Sequence, residues 1–308
     1  MKLASVKYGT QETVALVWGD DLIDLGRGLR LYRLAKEGDP GPVIHSLPEL
    51  LAQRQSGAPY RLFNAFLAEV VAFLDPPNLW PTLTIQGTPR LGPPVARPGK
   101  IICMGRNYAA HAQETDSPIP QEPIYFVKAS TAVIGQDEEI VYPEGAERVD
   151  PEAELAAVIG TRARNLTLEN ALDCVLGYTI LNDVTERSLQ QHDIAAKQPW
   201  FRSKSCDTFC PMGPVVVLTD EIPDPHTLQV SLHVNGELRQ TSSTAEMIFK
   251  LPEILVAITH YITLEPGDIV STGTPQGIAP IKPGDLVECT VTGIGTLRNR
   301  VVSSTTAS

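Results

Sequence analysis

The sequence predicts an α+β protein, mainly β, in two parts: a small α+β unit over residues 1–75 and a larger β-rich unit over 99–302. Three observations carry this. Between Asp75 and Pro98 stand prolines at 76, 77, 81, 89, 93, 94 and 98, a density that a helix interior or a central strand does not absorb, so 76–98 reads as a linker. Beyond it, short apolar and β-branched runs recur with turn residues between them. A chain of 308 residues, 43% of them hydrophobic, also suffices for two domains or one large one with a sizeable core.

In the first part, Val14–Trp18 and Leu22–Leu25 predict strands around Gly19-Asp20-Asp21, and helical patterns follow near Pro48–Gln53 and Arg61–Leu74. In the second part, strands are predicted at Lys100–Met104, Ile124–Lys128, Glu152–Ile159 and Val175–Leu181. Four more follow at Val215–Leu218, Val230–Val234, Asp268–Ser271 and Leu286–Val291. Asn235-Gly236 predicts a two-residue type I′ hairpin turn, which needs positive φ twice. Helices are predicted at Leu168–Val175, Val184–Ala196 and Ala245–Tyr261, the last interrupted or restarted at Pro252 and ended before Glu265-Pro266-Gly267-Asp268. The Ser/Thr stretch 303–308 predicts a frayed tail.

Charge and cysteine usage exclude several classes. With 36 acidic and 25 basic residues the formal charge is −11, which disfavours a phosphate backbone as partner, so no nucleic-acid role is expected. Ala65–Leu74, the most apolar stretch, has Glu69 inside it and is too short to span a bilayer. Met1–Gly9 lacks the apolar core of a signal peptide. A cytoplasmic protein without membrane contact is expected. The five cysteines, at 103, 174, 206, 210 and 289, are odd in number and scattered, which predicts reduced thiols. Cys206 and Cys210 lack both Cys-x-x-Cys spacing and a second pair, so no metal or redox role is assigned to them.

Glu152-Ala153-Glu154 opens a predicted strand, and a period of two puts both carboxylates on one face. A solvated surface strand explains such a pair as well. Asp183 adds a third carboxylate at the end of the apolar run Gly177–Asn182, and three carboxylates on adjacent strands would make a hard-oxygen nest for a divalent cation. Separately, in Gly105-Arg106-Asn107-Tyr108-Ala109-Ala110-His111-Ala112-Gln113-Glu114, a helix over 108–114 places His111 and Glu114 three apart, in reach of one another as a general-base dyad or as an incidental surface pair. Lys204 lies in a polar stretch, and Thr272-Gly273-Thr274-Pro275-Gln276-Gly277 is a turn with hydroxyl and N–H donors for a carboxylate.

Taken together and in order, these segments resemble the fumarylacetoacetate hydrolase family. The matching pieces are Gly105-Arg106-Asn107-Tyr108 with His111 and Glu114, Pro123–Lys128, Glu152-Ala153-Glu154-Leu155, Gly177-Tyr178 through Asn182-Asp183-Val184, Lys204–Thr208 and Thr272-Gly273-Thr274-Pro275. They span about residues 100–300. The resemblance implies a mixed β-roll catalytic domain, here with the small amino-terminal domain of longer bacterial members, and a homodimer. It implies Mg²⁺ or Mn²⁺ on Glu152, Glu154 and Asp183, and small-molecule substrates that are 2-oxo or 2,4-dioxo acids. His111 and Glu114 are then the water-activating dyad and Lys204 the lysine at the site. Arg106, Tyr108, Lys128, Arg187, Gln190 and Thr274 fall in the segments that would bind substrate. Glu186, Ser188 and Cys206 depart from residues frequent in the family.

This set implies hydrolysis of a C–C bond in a 2,4-dioxo acid of acylpyruvate or fumarylpyruvate type, through an enolate stabilised by the cation. Isomerisation of 2-hydroxy-dienoic acids, or decarboxylation of 2-oxo dicarboxylic acids of the oxaloacetate type in aromatic catabolism, needs the same enolate without the water. The presence of both His111 and Glu114 favours hydrolysis. A third reading, a protein that binds metal and oxo acid without turnover, is opposed by the complete ligand set.

Overall fold

In the computed structural model, which describes residues 1–53, 60–74 and 79–304, the chain opens with an antiparallel meander. Its strands are β1 (Lys2–Tyr8), β2 (Gln11–Trp18) and β3 (Asp21–Asp24). The predicted strand at Leu22–Leu25 stops at Asp24 because that side chain caps helix α1 (Leu25–Glu37), accepting the Arg27 N–H at 2.9 Å. Helix α1 was hidden from pattern reading by Gly26 and Gly28, which weaken helix propensity. The packing explains them: a Cβ on Gly26 would lie 2.3 Å from the Ile44 carbonyl oxygen, and one on Gly28 would lie 2.5 Å from Leu74 Cδ1. Helices α2 (Leu47–Ala52) and α3 (Tyr60–Leu74) occupy the two predicted helical stretches.

The described part of 76–98 carries structure of its own, helix α4 (Trp80–Leu83) and strand β4 (Arg90–Gly92), which pairs with β1. Pro76 and Pro77 lie outside the described residues, as do 305–308 of the predicted tail.

Next come β5 (Ile101–Gly105), α5 (Ala109–Glu114), β6 (Ile124–Lys128), β7 (Val133–Ile134), β8 (Ile140–Tyr142) and β9 (Val149–Asp150). The middle of the chain forms β10 (Ala153–Ile159), β11 (Val175–Asn182), β12 (Thr185–Glu186), α6 (Arg187–Ala195), α7 (Phe201–Lys204) and β13 (Cys210–Leu218). The last elements are β14 (Gln229–Val234), β15 (Glu237–Ser243), α8 (Leu251–Tyr261), β16 (Ile269–Ser271), β17 (Leu286–Val291) and β18 (Gly295–Ser303).

The predicted hairpin is present, with Asn235 at φ +53° and Gly236 at φ +80° between β14 and β15. The predicted helix at Leu168–Val175 is instead a turn followed by a short 3₁₀ segment, Ala171–Cys174. There Asn170 Oδ1 accepts the Thr167 N–H at 2.8 Å, an Asx-type bond that competes with helix. The helix expected from Val184 starts only at Arg187, because Thr185 and Glu186 pair with β9 and Glu186 then caps α6 through the Leu189 N–H. The stretch from Ala245 is a 3₁₀ turn at Thr244–Glu246, and the helix restarts as α8 with Pro252 in its first turn.

An eleven-stranded sheet runs β3-β2-β1-β13-β11-β10-β16-β5-β6, with β4 and β7 attached at β1 and β13. A five-stranded sheet, β15-β14-β17-β18-β8, packs against it. The period of two sorts the large sheet's side chains. Leu155, Ala157 and Ile159 of β10 join a core with Val230 and Leu232 of β14 and Ile254 and Leu255 of α8. Ala156 and Val158 face the other way, into a core with Leu29 of α1 and Leu67 of α3. The described residues before 75 thus supply both sheet strands and one covering layer.

Candidate metal centre and active site

Antiparallel pairing builds the acidic centre. Ala153 lies opposite Asn182 and Glu154 opposite Leu181, so the start of β10 sits beside the end of β11. Asp183 donates its backbone N–H to the Glu152 carbonyl at 2.8 Å, and Glu152 donates its own to Asn182 Oδ1 at 2.8 Å. The ligand oxygens of Glu152, Glu154 and Asp183 lie within 4.8 Å of one another. Their exposures of 3%, 1% and 1% exclude the solvated surface strand.

Positive charge surrounds the triad. Lys204, on the last position of α7, donates to Glu152 Oε2 at 2.8 Å and Asp183 Oδ2 at 2.6 Å. Lys128, at the end of β6, donates to Asp183 Oδ1 at 2.7 Å and to the Val184 carbonyl at 3.2 Å. Arg187 reaches Glu152 Oε1, Asp150 Oδ2 at 2.8 Å and Gln190 Oε1 at 2.6 Å. Four carboxyls, Asp150, Glu152, Glu154 and Asp183, are thus buried together with Lys128, Arg187 and Lys204. A divalent cation added to this set would give the site the positive charge that suits an anionic ligand.

Glu154 is where the residues fit a cation most plainly. One of its oxygens, Oε2, accepts from Ser271 Oγ at 2.5 Å and the Gly273 N–H at 3.0 Å, while Oε1 makes no hydrogen bond among the described residues. Burial, then the neighbouring Asp183 charge, pushes the Glu154 carboxyl well above the ordinary carboxylate range. Burial also pushes Glu152 up, but Lys204 and Arg187 outweigh it and hold that carboxyl low. The three-oxygen set is the hard-donor chemistry of Mg²⁺ or Mn²⁺. Lys204 is disfavoured as a cation by burial, yet Asp183 and Glu152 more than compensate, so it stays charged.

Beside the triad opens a cavity of about 260 Å³. Of the residues singled out from sequence, Glu152, Glu154, Arg187, Gln190 and Lys204 line it, together with Arg106, His111, Glu114 and Thr274. His111 and Glu114 lie on α5 with Nδ1 3.3 Å from Oε2. Burial pushes Glu114 up, but the bonds to His111 and to the Gly277 N–H outweigh it and leave its carboxyl below the ordinary range. Three of the predicted residues are not on the cavity wall. Asp183 and Lys128 sit behind it, and Tyr108 is buried with a hydroxyl that has no hydrogen-bond partner among the described residues.

Sequence reading missed Arg148, Phe126 and Trp200, which also line the cavity. Phe126 lies inside the matching piece Pro123–Lys128, whereas nothing in the local spacing of Arg148 or Trp200 marks them, since they reach the site only in three dimensions. It also missed Gln240, a buried β15 side chain that accepts the Ala153 N–H at 3.0 Å and donates to Thr274 Oγ1 at 2.9 Å and the Pro275 carbonyl at 2.7 Å. All five cysteines are free, and burial pushes the Cys210 thiol up to about 12, far from a nucleophile. Among the described residues, no helix is long and apolar enough to cross a membrane.

Comparison with known proteins places these features. The family model described as fumarylacetoacetate (FAA) hydrolase C-terminal matches residues 100–302. An uncharacterized protein of Pyrococcus abyssi is 49% identical over 207 residues, 67% of this chain and 92% of that one. The mitochondrial oxaloacetate tautomerase FAHD2B of Bos taurus is 42% identical over 216 residues, 68% of each chain. Among solved structures, maleylpyruvate hydrolase from Sphingobium sp. SYK-6, in complex with manganese (II) ion and pyruvate, superposes with a TM-score of 0.75 at 30% identity, covering 98% of this chain and 99% of that one. The 2-hydroxyhepta-2,4-diene-1,7-dioate isomerase from Mycobacterium marinum gives a TM-score of 0.72 at 30% identity over 99% of both chains. A fold shared over the whole length and a family match over the segment that holds the triad, the dyad and the lysines lead to one conclusion: the chain belongs to the fumarylacetoacetate hydrolase family.

Proposed function

We propose that the protein binds a 2-oxo acid beside the acidic triad and hydrolyses a C–C bond of a 2,4-dioxo acid of acylpyruvate or fumarylpyruvate type. The observation that carries this reading is the shared cavity: His111, with Glu114 behind it, opens onto the same space as Glu152 and Glu154. A divalent cation, Mg²⁺ or Mn²⁺, held by Glu152, Glu154 and Asp183 would supply Lewis-acid polarisation of the substrate's carboxylate and 2-oxo oxygens.

The chain's own side chains do the rest. Glu114 engages His111 Nδ1, which leaves Nε2 to take a proton from water as the water attacks C4. Lys204, kept charged by its carboxylate neighbours, and Arg187 set positive charge toward the oxygen developing on C4, with Gln190 beside them. Thr274, whose hydroxyl donates to the Ala153 carbonyl at 3.0 Å, holds the substrate carboxylate through the backbone N–H groups of its turn. Rupture of C3–C4 gives a carboxylic acid and pyruvate, whose C3 receives the proton that His111 carried.

A second reading is interconversion of the keto and enol forms of a 2-oxo dicarboxylic acid, supported by the 42% identity to the bovine oxaloacetate tautomerase. It uses His111 to move a proton at C3 and needs no water. The test is a panel of acylpyruvates, oxaloacetate and dienoic acids incubated with Mg²⁺ or Mn²⁺, with products identified by NMR. Hydrolysis releases pyruvate and a second acid; tautomer exchange without pyruvate release selects the second reading. A cytoplasmic homodimer belongs to the same proposal, and sedimentation analysis checks its oligomeric part.

A further inference from the structure

The cavity's cations differ in one respect. Lys204 and Arg187 are committed to the triad, and Arg148 donates to Asp150 Oδ1 at 2.9 Å. Arg106 alone among these cavity-lining cations has neither a hydrogen bond nor an ion pair to the described residues, although it lines the same space. Its guanidinium lies over the Trp200 ring, 5.4 Å from the centroid. Trp200 meets Phe126 edge-on at 5.6 Å, and Lys204 Nζ lies over Phe126 at 5.0 Å. Lys204, Phe126, Trp200 and Arg106 therefore follow one another in contact, with a cation at each end of two rings.

The backbone holds Arg106 in place. Its φ is +56°, a left-handed conformation that an L side chain adopts at a cost. Next to it Asn107 is fully buried, donating to the Phe249 and Thr272 carbonyls at 3.0 and 2.8 Å and accepting the Phe249 N–H at 2.8 Å. On the other side, a Cβ on Gly105 would lie 2.9 Å from Trp200 Cζ3, so only glycine lets the indole lie this close. An arginine has been fixed in a strained, locked loop, stacked on an aromatic face, with its fork left free. A guanidinium so presented recognises a carboxylate.

We propose that Arg106 is the specificity-determining residue of this cavity and takes the second carboxylate of a substrate that has one carboxylate at each end. The inference rests on the reading that the triad end of the cavity takes the 2-oxo acid head. The head lies by Glu152, Glu154 and Thr274, the chain runs along Phe126 and Trp200, and the distal carboxylate meets Arg106.

Arg106→Gly tests this without endangering the fold, because glycine accepts φ +56° freely. Two ligand pairs differ by a carboxylate: oxaloacetate against pyruvate for binding by calorimetry with Mn²⁺ present, and fumarylpyruvate against acetylpyruvate for kcat/KM. The variant is expected to lose about 10- to 100-fold toward the two-carboxylate member of each pair, the size of one charge-assisted contact, and only a few-fold toward the other. Arg106→Lys, which keeps the charge and loses the fork, should fall between. Equal losses on both members of a pair, or no loss on either, would overturn the proposal. If neither dioxo acid is hydrolysed but oxaloacetate binding still depends on Arg106, the hydrolytic reading falls and this proposal stands.

Discussion

The backbone N–H of Gly277 donates to both carboxylate oxygens of Glu114, at 3.0 and 3.1 Å. Glu114 is thereby held between His111 and the loop that carries Thr274. Gly277 has φ +102°, and a Cβ there would lie 2.0 Å from the Arg239 carbonyl oxygen. Gly277→Ala should therefore destabilise the protein by about 1–3 kcal/mol and lower kcat more than it raises KM, because Glu114 loses its anchor. Thermal melts with steady-state kinetics check both; an unchanged kcat would mean that Glu114 does not orient the base.

The triad predicts opposite pH dependences for two neighbouring carboxyls. Glu154 is raised by burial and by Asp183, so the unfolded chain releases that proton at lower pH than the folded one. Its contribution to stability is present at low pH and is lost as pH rises through the elevated value. Glu152 is lowered, so its contribution is present above the ordinary carboxylate range and is lost as pH falls. Cation binding must displace the Glu154 proton, so Mn²⁺ affinity should rise with pH. Glu154→Gln should flatten that rise, weaken Mn²⁺ binding and depress turnover. Titration calorimetry at several pH values reads the first two, and full activity after exhaustive chelation would remove the metal from the account.

Gln240 is 1% exposed and joins β10 to the Thr274 loop through three hydrogen bonds. Gln240→Leu keeps the volume but leaves those partners unsatisfied, which should cost about 1–3 kcal/mol. Thr274 would also lose its register, so KM for the oxo acid should rise. Chemical denaturation and kinetics measure the pair; a loss of stability with KM unchanged would limit Gln240 to the fold.

The boundary near residue 99 also makes a prediction. The Pyrococcus abyssi relative is covered over 92% of its length by a match to 207 residues, which leaves it little room for a counterpart of residues 1–75. A 99–308 chain should therefore fold and bind Mn²⁺. It should also melt at a lower temperature, because β13 loses β1 and the β10 residues Ala156 and Val158 lose the cover of Leu29 and Leu67. Circular dichroism settles it; absence of a cooperative melt would tie the two parts into one unit.

The acidic triad was legible in sequence because strand periodicity and strand ends are local properties, and Glu152, Glu154 and Asp183 needed only one antiparallel register to meet. The Asn235-Gly236 turn was legible for the same reason. Helix α1 was not, because its glycines answer to Ile44 and Leu74, which are distant in sequence. Strand β13 was seen only from Val215, since Pro211, Gly213 and Pro214 argue against a strand that its neighbours nevertheless impose. Strand β1 mixes Lys2, Ser5 and Lys7 with its apolar residues. In the site, Arg148 and Trp200 gave no local signal, and Glu186, noted only as a departure, proved to cap α6.

The proposed hydrolysis turns on the activation of water by His111 beside the triad. Its most direct measurement is acylpyruvate hydrolysis by His111→Ala with Mn²⁺ binding measured on the same sample. A general base contributes about 10²–10⁴-fold, and His111 is not among the triad's oxygen donors. Hydrolysis should therefore fall by about that factor while Mn²⁺ affinity is kept, with Glu114→Ala sharing part of the loss. Hydrolysis within a few-fold of the parent enzyme, or a parent that interconverts tautomers and releases no pyruvate from any acylpyruvate, would contradict it.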